Sequence, residues 1–270
     1  MFWSTLIASV LLLVLLRWHF LQLRHEMNKK NLEIAGLKQR GAEFVANVSH
    51  ELKTPLTSIM GYTETLKSVI LKDDPQKAIE FLNRIEQNAD RLSVLINELL
   101  DLSRIESPNV HLEKEIFLLK ELLVEVQSEF SLKLSKKNQV LVIRGNEIQL
   151  FGDRRLVAQA LSNLLENANR YCQDGALIEV EASEIYRDGR NWIQIFVSDN
   201  GPGISSADLP RIFERFYRAE KSRTRLTGGT GLGLAIVKHI ALSHGGQALV
   251  ESELQKGTKF TLLFPPSDLN

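Results

Sequence analysis

Residues 192–204 read WIQIFVSDNGPGI, and the folding of the C-terminal part of the chain is decided there. Residues 192–198 show the period-2 alternation of a strand. Asp199-Asn200-Gly201-Pro202-Gly203-Ile204 then stops it with turn residues. The glycines let backbone approach a ligand closely, and Asp199 offers a carboxylate at the strand end; a plain Asx turn is the alternative. Upstream, the pattern predicts a strand near 111–117, a helix over 119–136, and strands at 139–144 and 147–151. A helix over 153–172 with Asp153 as N-cap and a strand at 177–185 follow. Downstream, a long polar loop leads to a helix over 231–244 and strands at 247–253 and 259–264. Strands with helices gathered on one side predict an α+β two-layer sandwich.

Two further clusters share this domain. Asn163, Asn167 and Arg170 recur at spacings of 4 and 3, so they share one helix face, opposite Leu161, Leu164 and Leu165. Asn on a solvated face is ordinary, yet two carboxamides and a guanidinium are also ligand-holding groups. Gly228-Gly229-Thr230-Gly231-Leu232-Gly233-Leu234 opens the last helix, where free N–H groups make an anion site suited to phosphates. No Gly-Lys-Ser/Thr follows, so it is not a P-loop, and a long loop rather than a strand precedes it.

Before this domain lie two long amphipathic helices. Leu23, Met27, Lys30, Ile34, Leu37, Gly41, Phe44 and Val48 form an a/d seam, weakened at Lys30 and Gly41. The seam resumes after Pro55 as Leu56, Ile59, Thr63, Leu66 and Ile70, and Pro55 is expected to kink the helix. The polar turn Lys72-Asp73-Asp74-Pro75 leads to a second seam, Ala78, Leu82, Ile85, Ala89, Leu92, Ile96 and Leu99. One hairpin cannot cover both apolar stripes, so two copies are expected to pair into a four-helix bundle, making the chain a homodimer. His50 lies about 200° around the helix from Val48 and faces outward. Taken alone it is an ordinary surface His, and a His-Glu-x-x-His zinc site fails because Thr54 stands where the second His is needed.

Residues 2–16 read FWSTLIASVLLLVLL, without a charge. A bilayer core of ~30 Å needs about 20 helical residues. The run reaches Leu23 if Arg17 snorkels, and Trp3 and Trp18 bracket it as interfacial aromatics do. A signal peptide would need a positive n-region and a small-x-small cleavage site, which are lacking. A buried core helix is the third reading. Arg17, Arg24, Lys29, Lys30, Lys38 and Arg40 stand against Glu26 and Glu33, a balance of +4. The positive-inside rule then puts everything after residue 17 in the cytoplasm. With almost nothing ahead of the run, no extracellular sensor loop is expected; a stimulus would come through the membrane, a partner or the cytoplasm.

Composition adds exclusions. The 270 residues carry 33 Lys+Arg and 33 Asp+Glu, which argues against a nucleic-acid partner. One Cys rules out an internal disulfide framework and a four-thiolate zinc site. Cys172 is expected to be a small buried residue, and His239 and His244 surface or capping residues.

His50-Glu51-Leu52-Lys53-Thr54-Pro55-Leu56, Asn163-x3-Asn167, Asp199-Asn200-Gly201-Pro202-Gly203 and Gly229-Thr230-Gly231-Leu232-Gly233 resemble, in this order, the H, N, G1 and G2 boxes of sensor histidine kinases. Arg211-Ile212-Phe213-Glu214-Arg215-Phe216-Tyr217-Arg218 resembles their F box. Residues 44–50 and 57–66 look most like the phosphate-regulon type. The resemblance implies a multi-domain chain: a transmembrane anchor (1–23), a coiled-coil linker (24–43), a dimerisation and phosphotransfer hairpin (44–107) and an ATP-binding sandwich (108–267). It implies ATP-dependent autophosphorylation of His50, with Glu51 accepting the other ring proton, and transfer to an Asp of a response regulator receiver domain. Asn167 would coordinate Mg2+, supported by Asn163; Arg170 and Arg218 would neutralise phosphate charge. Gly229, Thr230, Gly231, Leu232 and Gly233 would hold phosphates. Asp199 would select adenine in a pocket with Gly201, Gly203, Ile204 and Phe213, and Tyr171 would stack on the base. Thr54 matches the position that orients water in a phosphatase activity.

The resemblance also implies a single-pass protein of the cytoplasmic membrane of a bacterium, with a separate sensor or transporter as a further partner. Related gyrase- and Hsp90-type ATPases carry Glu where Asn163 stands, and an amide cannot activate water as that Glu does. Arg170 replaces the Lys of many such kinases. Two rivals stay in view: a GHKL-type ATPase and a non-catalytic dimeric scaffold. The loop over 205–228, with Arg211, Arg215, Arg218, Lys221, Arg223 and Arg225, is expected to act as a lid.

Overall fold

The computed structural model describes residues 2–67, 74–107, 110–145, 147–219 and 229–266, with the side chains of 2–16 and several positions up to 40 left out. The chain divides into two compact units, Met1–Thr54 and Pro55–Asn270.

Helix α1 spans Phe2–Thr65 and runs without interruption through Pro55. The expected anchor run lies outside the described side chains. Among the described residues no helix is long and apolar enough to cross a membrane. Seam positions Leu23, Ile34 and Leu37 also lie outside the described side chains.

In the second unit, α2 spans Pro75–Ile105. Its start follows local chemistry: the Asp74 side chain accepts the Lys77 N–H at 3.2 Å, and Pro75 occupies the first turn, where its missing N–H costs nothing. Tyr62 packs on Phe81 with ring centroids 5.3 Å apart. Leu66, Ala78, Leu95, Leu102 and Ile105 are buried. Leu56, Met60, Ile79, Leu82, Ile96 and Leu100 are exposed in the single chain. These side chains leave apolar surface uncovered on the hairpin.

The remaining elements are β1 (Glu115–Leu118), α3 (Leu119–Ser135), β2 (Val140–Gly145), β3 (Gln149–Gly152), α4 (Arg154–Tyr171), β4 (Leu177–Arg187), β5 (Arg190–Asp199), α5 (Gly233–Ser243), β6 (Gln247–Glu253) and β7 (Gly257–Phe264). A five-stranded sheet has the order β2-β4-β5-β7-β6, parallel only between β2 and β4. β1 and β3 form a separate antiparallel pair. Alternation buries Ile178, Val180 and Ala182 on β4 and Ile195 and Val197 on β5. Against this layer α3, α4 and α5 bury Leu122, Val126, Leu161, Leu164, Leu165, Ile236 and Ile240. Each such side chain contributes roughly 1.5–3 kcal/mol on burial. The expected two-layer sandwich is what forms.

Two expectations are corrected. The first strand begins at Glu115 rather than near 111. The last helix begins at Gly233, because Gly231 has φ +77, a left-handed conformation that cannot open a right-handed helix. His244 is the C-cap of that helix, the capping role being one of the two expected for it, and it is buried, 4% exposed. Cys172 is buried, as expected.

Candidate nucleotide and phospho-acceptor site

Helix α4 carries the carboxamides, and both its ends are fixed. At the start, the Asp153 side chain accepts the Leu156 N–H at 3.1 Å and the Glu113 N–H at 3.2 Å. At the end, Lys137 Nζ donates to the carbonyls of Asn169 (2.6 Å) and Arg170 (3.3 Å), and Gln139 Nε2 to those of Cys172 (3.2 Å) and Gln173 (3.1 Å). These two side chains satisfy helix-end carbonyls that otherwise lack partners. Leu161, Leu164 and Leu165 face the core, leaving Asn163, Asn167 and Arg170 half-exposed on the other side.

That side meets the glycine loop. Asn163 Nδ2 donates to the Gly233 carbonyl at 3.4 Å. A Cβ added at Gly229 would lie 2.8 Å from Arg170 Nη1 and 3.5 Å from Tyr171 Oη, so Gly229, Arg170 and Tyr171 converge. Arg170 is steadied by Glu166 at 3.3 Å. A Cβ at Gly231 would come within 2.8 Å of Phe216 backbone, whose N–H donates to the Gly231 carbonyl at 2.9 Å. The Leu232 N–H donates to Thr230 Oγ1 at 3.2 Å, and the Thr230 hydroxyl donates to the Glu98 carboxylate of α2.

At the end of β5, Asp199 Oδ1 accepts the Gly201 N–H at 2.8 Å, and Asn200 Oδ1 accepts the Leu177 N–H at 2.9 Å. A Cβ at Gly201 would sit 2.6 Å from Cys172 Sγ and 2.7 Å from Asp199 Oδ1. Gly203 (φ +69) turns the chain against Glu253, and the Ile204 N–H donates to Ser252 Oγ at 2.8 Å. Burial pushes the Asp199 carboxyl above its usual range, opposed by the Gly201 amide. Burial and the Asp199 charge push the Cys172 thiol up to about 12.

The segment after this turn is pinned from several sides. Phe213 packs edge-on against Phe260 at 6.2 Å. Tyr217 Oη donates to Asp208 Oδ1 at 2.6 Å, and Arg215 pairs with Glu106, the C-cap of α2, at 2.6 Å. Arg218 is half-buried at the end of the described segment. Lys221, Arg223 and Arg225 of the expected lid lie outside the described residues.

Within the first unit, His50 is 76% exposed, with Nδ1 at 3.7 Å from Glu51 Oε1. Thr54 Oγ1 donates to the His50 carbonyl at 3.2 Å. The structure therefore groups Asn163, Arg170, Tyr171, Gly229, Thr230, Leu232 and Gly233 in one part of the second unit, with Asp199 and Gly201 beside Cys172 at the end of the same helix and Gly203 and Ile204 against β6. His50, Glu51 and Thr54 stand on the other unit. Among the described residues no three His, Cys, Asp or Glu side chains cluster to hold a metal ion.

A nucleotide fits the chemistry of these groups. Glycines leave open what a Cβ would fill beside Arg170 and Asn163. The Asp199 carboxylate has no basic partner among the described residues and can accept from an amino group. Mg2+ bound to phosphates needs few protein oxygens, and the Asn167 carboxamide can supply one.

Four residues with site contacts escape sequence reasoning. Glu98 and Glu106 lie off the expected apolar seam, Lys137 falls just after an expected helix, and Gln139 opens an expected strand. Only the tertiary pairing reveals them, and no local signal marks them.

A family model described as "Histidine kinase-, DNA gyrase B-, and HSP90-like ATPase" matches residues 152–268, and "His Kinase A (phospho-acceptor) domain" matches residues 42–108. The phosphate regulon sensor protein PhoR of Pseudomonas aeruginosa is 35% identical over 234 residues, 86% of this chain and 52% of PhoR. The chain spans 52–59% of the length of this and the next most similar curated relatives. Among solved structures, histidine kinase ThkA in complex with response regulator protein TrrA is similar with a TM-score of 0.67 and 28% identity. That match covers 83% of this chain and 61% of the other. Full-length ShkA in complex with AMPPNP is similar with a TM-score of 0.59 and 28% identity, over 83% and 45%.

Proposed function

Because this chain belongs to the sensor histidine kinases, carrying both their phospho-acceptor and their ATP-binding domains, we propose that it autophosphorylates His50 from ATP and passes the phosphoryl group to an Asp of a response regulator. The observation that carries this reading is the convergence of Arg170 and Tyr171 of α4 on Gly229, with Asn163 bonded to Gly233 at the start of α5.

In this mechanism Asp199 accepts a hydrogen bond from the adenine amino group, and Tyr171 stacks on the base. Gly201, Gly203, Ile204 and Phe213 shape the pocket. Asn167 would hold Mg2+ through its side-chain oxygen, with Asn163 steadying it, and the ion would neutralise phosphate charge. The glycine loop, Arg170 and Arg218 take up phosphate charge. Bound ATP supplies the electrophilic γ-phosphorus. Glu51 faces His50 Nδ1, so Nε2 is the nucleophile: a bond forms from Nε2 to phosphorus, the bond to the bridging oxygen breaks, and ADP carries off the electron pair. Glu51 takes the developing positive charge of the ring or its Nδ1 proton. Positioning and charge neutralisation supply most of the catalysis.

The same reading makes the exposed stripe of Leu56, Met60, Leu82 and Ile96 the homodimer seam. It makes residues 1–23 a membrane anchor with the kinase on the cytoplasmic side, and leaves the stimulus to a sensor or transporter. Thr54, one turn after His50, serves a phosphatase activity toward the phosphorylated regulator. An amide at Asn163 disfavours the simple ATPase reading. Transfer is tested by mixing the phosphorylated chain with a purified receiver domain. Label moving from chain to receiver is expected; label that stays on the chain at the same level with and without the receiver would refute transfer.

A further inference from the structure

This inference rests on the reading that the loop Gly229–Gly233 receives the phosphates of ATP. Helix α2 reaches the sandwich through three carboxylates. Asp101 Oδ2 accepts from Gln159 Nε2 at 2.6 Å. Glu106 pairs with Arg215 at 2.6 Å and contacts His239 at 3.0 Å. These two bind side chains outside the glycine loop. Glu98 differs, because its carboxylate accepts the hydroxyl of Thr230 within the loop itself.

Among the described residues the surroundings of Glu98 are short of positive charge. Burial pushes its carboxyl above the usual range; Arg170 opposes this, while Asp101 and Glu166 add to it. Arg170 is already engaged by Glu166 at 3.3 Å. A polyphosphate arriving at the same loop would bring more negative charge and would draw on the same guanidinium. In a partly buried setting, like charges a few ångströms apart repel far more than they do in water.

We propose that Glu98 sets the affinity of the nucleotide site: its carboxylate, seated on Thr230, opposes the phosphates, so nucleotide binding and attachment of α2 to the glycine loop weaken each other. The effect is reciprocal by linkage. Nucleotide loosens the hold of the hairpin helix on the loop, and a tighter hold expels nucleotide. The hairpin that carries the phospho-acceptor thereby senses whether the loop is filled.

The test is calorimetric titration of the chain with Mg2+-ATP and, separately, with adenosine, comparing wild type, Glu98→Gln and Asp199→Asn. Glu98→Gln keeps an acceptor for the Thr230 hydroxyl and removes the charge. It should tighten ATP binding by roughly tenfold and leave adenosine, which has no phosphates, nearly unchanged. Asp199→Asn should weaken both ligands. Unchanged or weaker ATP binding in Glu98→Gln, or an equal gain for adenosine, would overturn the proposal. If ATP binds in an Asp199-dependent way and Glu98→Gln changes nothing, this inference alone fails. If wild type binds no ATP, the reading of the site fails with it.

Discussion

Nε2 of His244 accepts the backbone N–H of Asp153 at 2.9 Å, joining the end of the last helix to the N-cap of the helix that carries Asn163 and Asn167. His244 Nδ1 lies 2.8 Å from the Ile240 carbonyl, so the hydrogen-bond network assigns the proton to Nδ1 and leaves Nε2 as acceptor. A protonated ring could not accept at Nε2. Burial lowers the His244 pKa, with Lys114 reinforcing the shift and Asp153 and Ile240 opposing it. The unfolded chain therefore takes up the proton more readily than the folded one. The stabilisation is fully present above pH ~6.5 and is lost as the pH falls from there toward the lower folded value. Thermal unfolding between pH 7.5 and 5 should show the wild type losing stability faster than His244→Gln. Parallel curves would rule out this coupling.

Asp153 is 3% exposed; its side chain accepts two backbone N–H groups and its own N–H donates to the His244 ring. Asp153→Ala keeps the bond to His244 but removes the cap and the acceptor for Glu113. It should lower unfolding stability by about 1–3 kcal/mol in denaturant titration. A change below a few tenths would mean that the cap is replaced locally.

A thiol whose pKa is about 12 is not a nucleophile at pH 8. Cys172 should resist iodoacetamide in the folded chain for hours and react promptly in denaturant, as followed by intact mass. Fast alkylation of native protein would contradict its burial against Asp199 and Gly201.

The role given to Asp199 has a pH signature. Its carboxyl is held above the usual range, so it begins to protonate at a higher pH than a free Asp and then loses its acceptor character. ATP affinity should fall on acidification, and Asp199→Asn should bind ATP at least tenfold more weakly with a flatter pH dependence in that range. Wild-type affinity in Asp199→Asn would remove adenine recognition from this residue.

Much of this was legible before any coordinates. Local chemistry marks the elements: Asp153 caps α4, Pro75 opens α2, and the turn from Asp199 to Gly203 ends β5. The leucines of α4 separate its core face from the Asn163 and Asn167 face by periodicity alone. What stayed hidden depends on long-range pairing. His244 looks like a helix-end residue until Asp153, 91 positions earlier, is seen to need its nitrogen. Glu98 looks solvated until Thr230 covers it. The start of α5 shifts by two residues because Gly231 is left-handed, and only the structure shows the Phe216 backbone packed where its Cβ would be.

The most direct test of the central claim is incubation of the chain with γ-labelled ATP and Mg2+, followed by acid and alkali treatment, in wild type, His50→Gln and Asn167→Ala. Acid-labile, alkali-stable label on the wild type, absent from both variants, is the predicted result. Steady phosphate release without protein label, or undiminished label in His50→Gln, would contradict it.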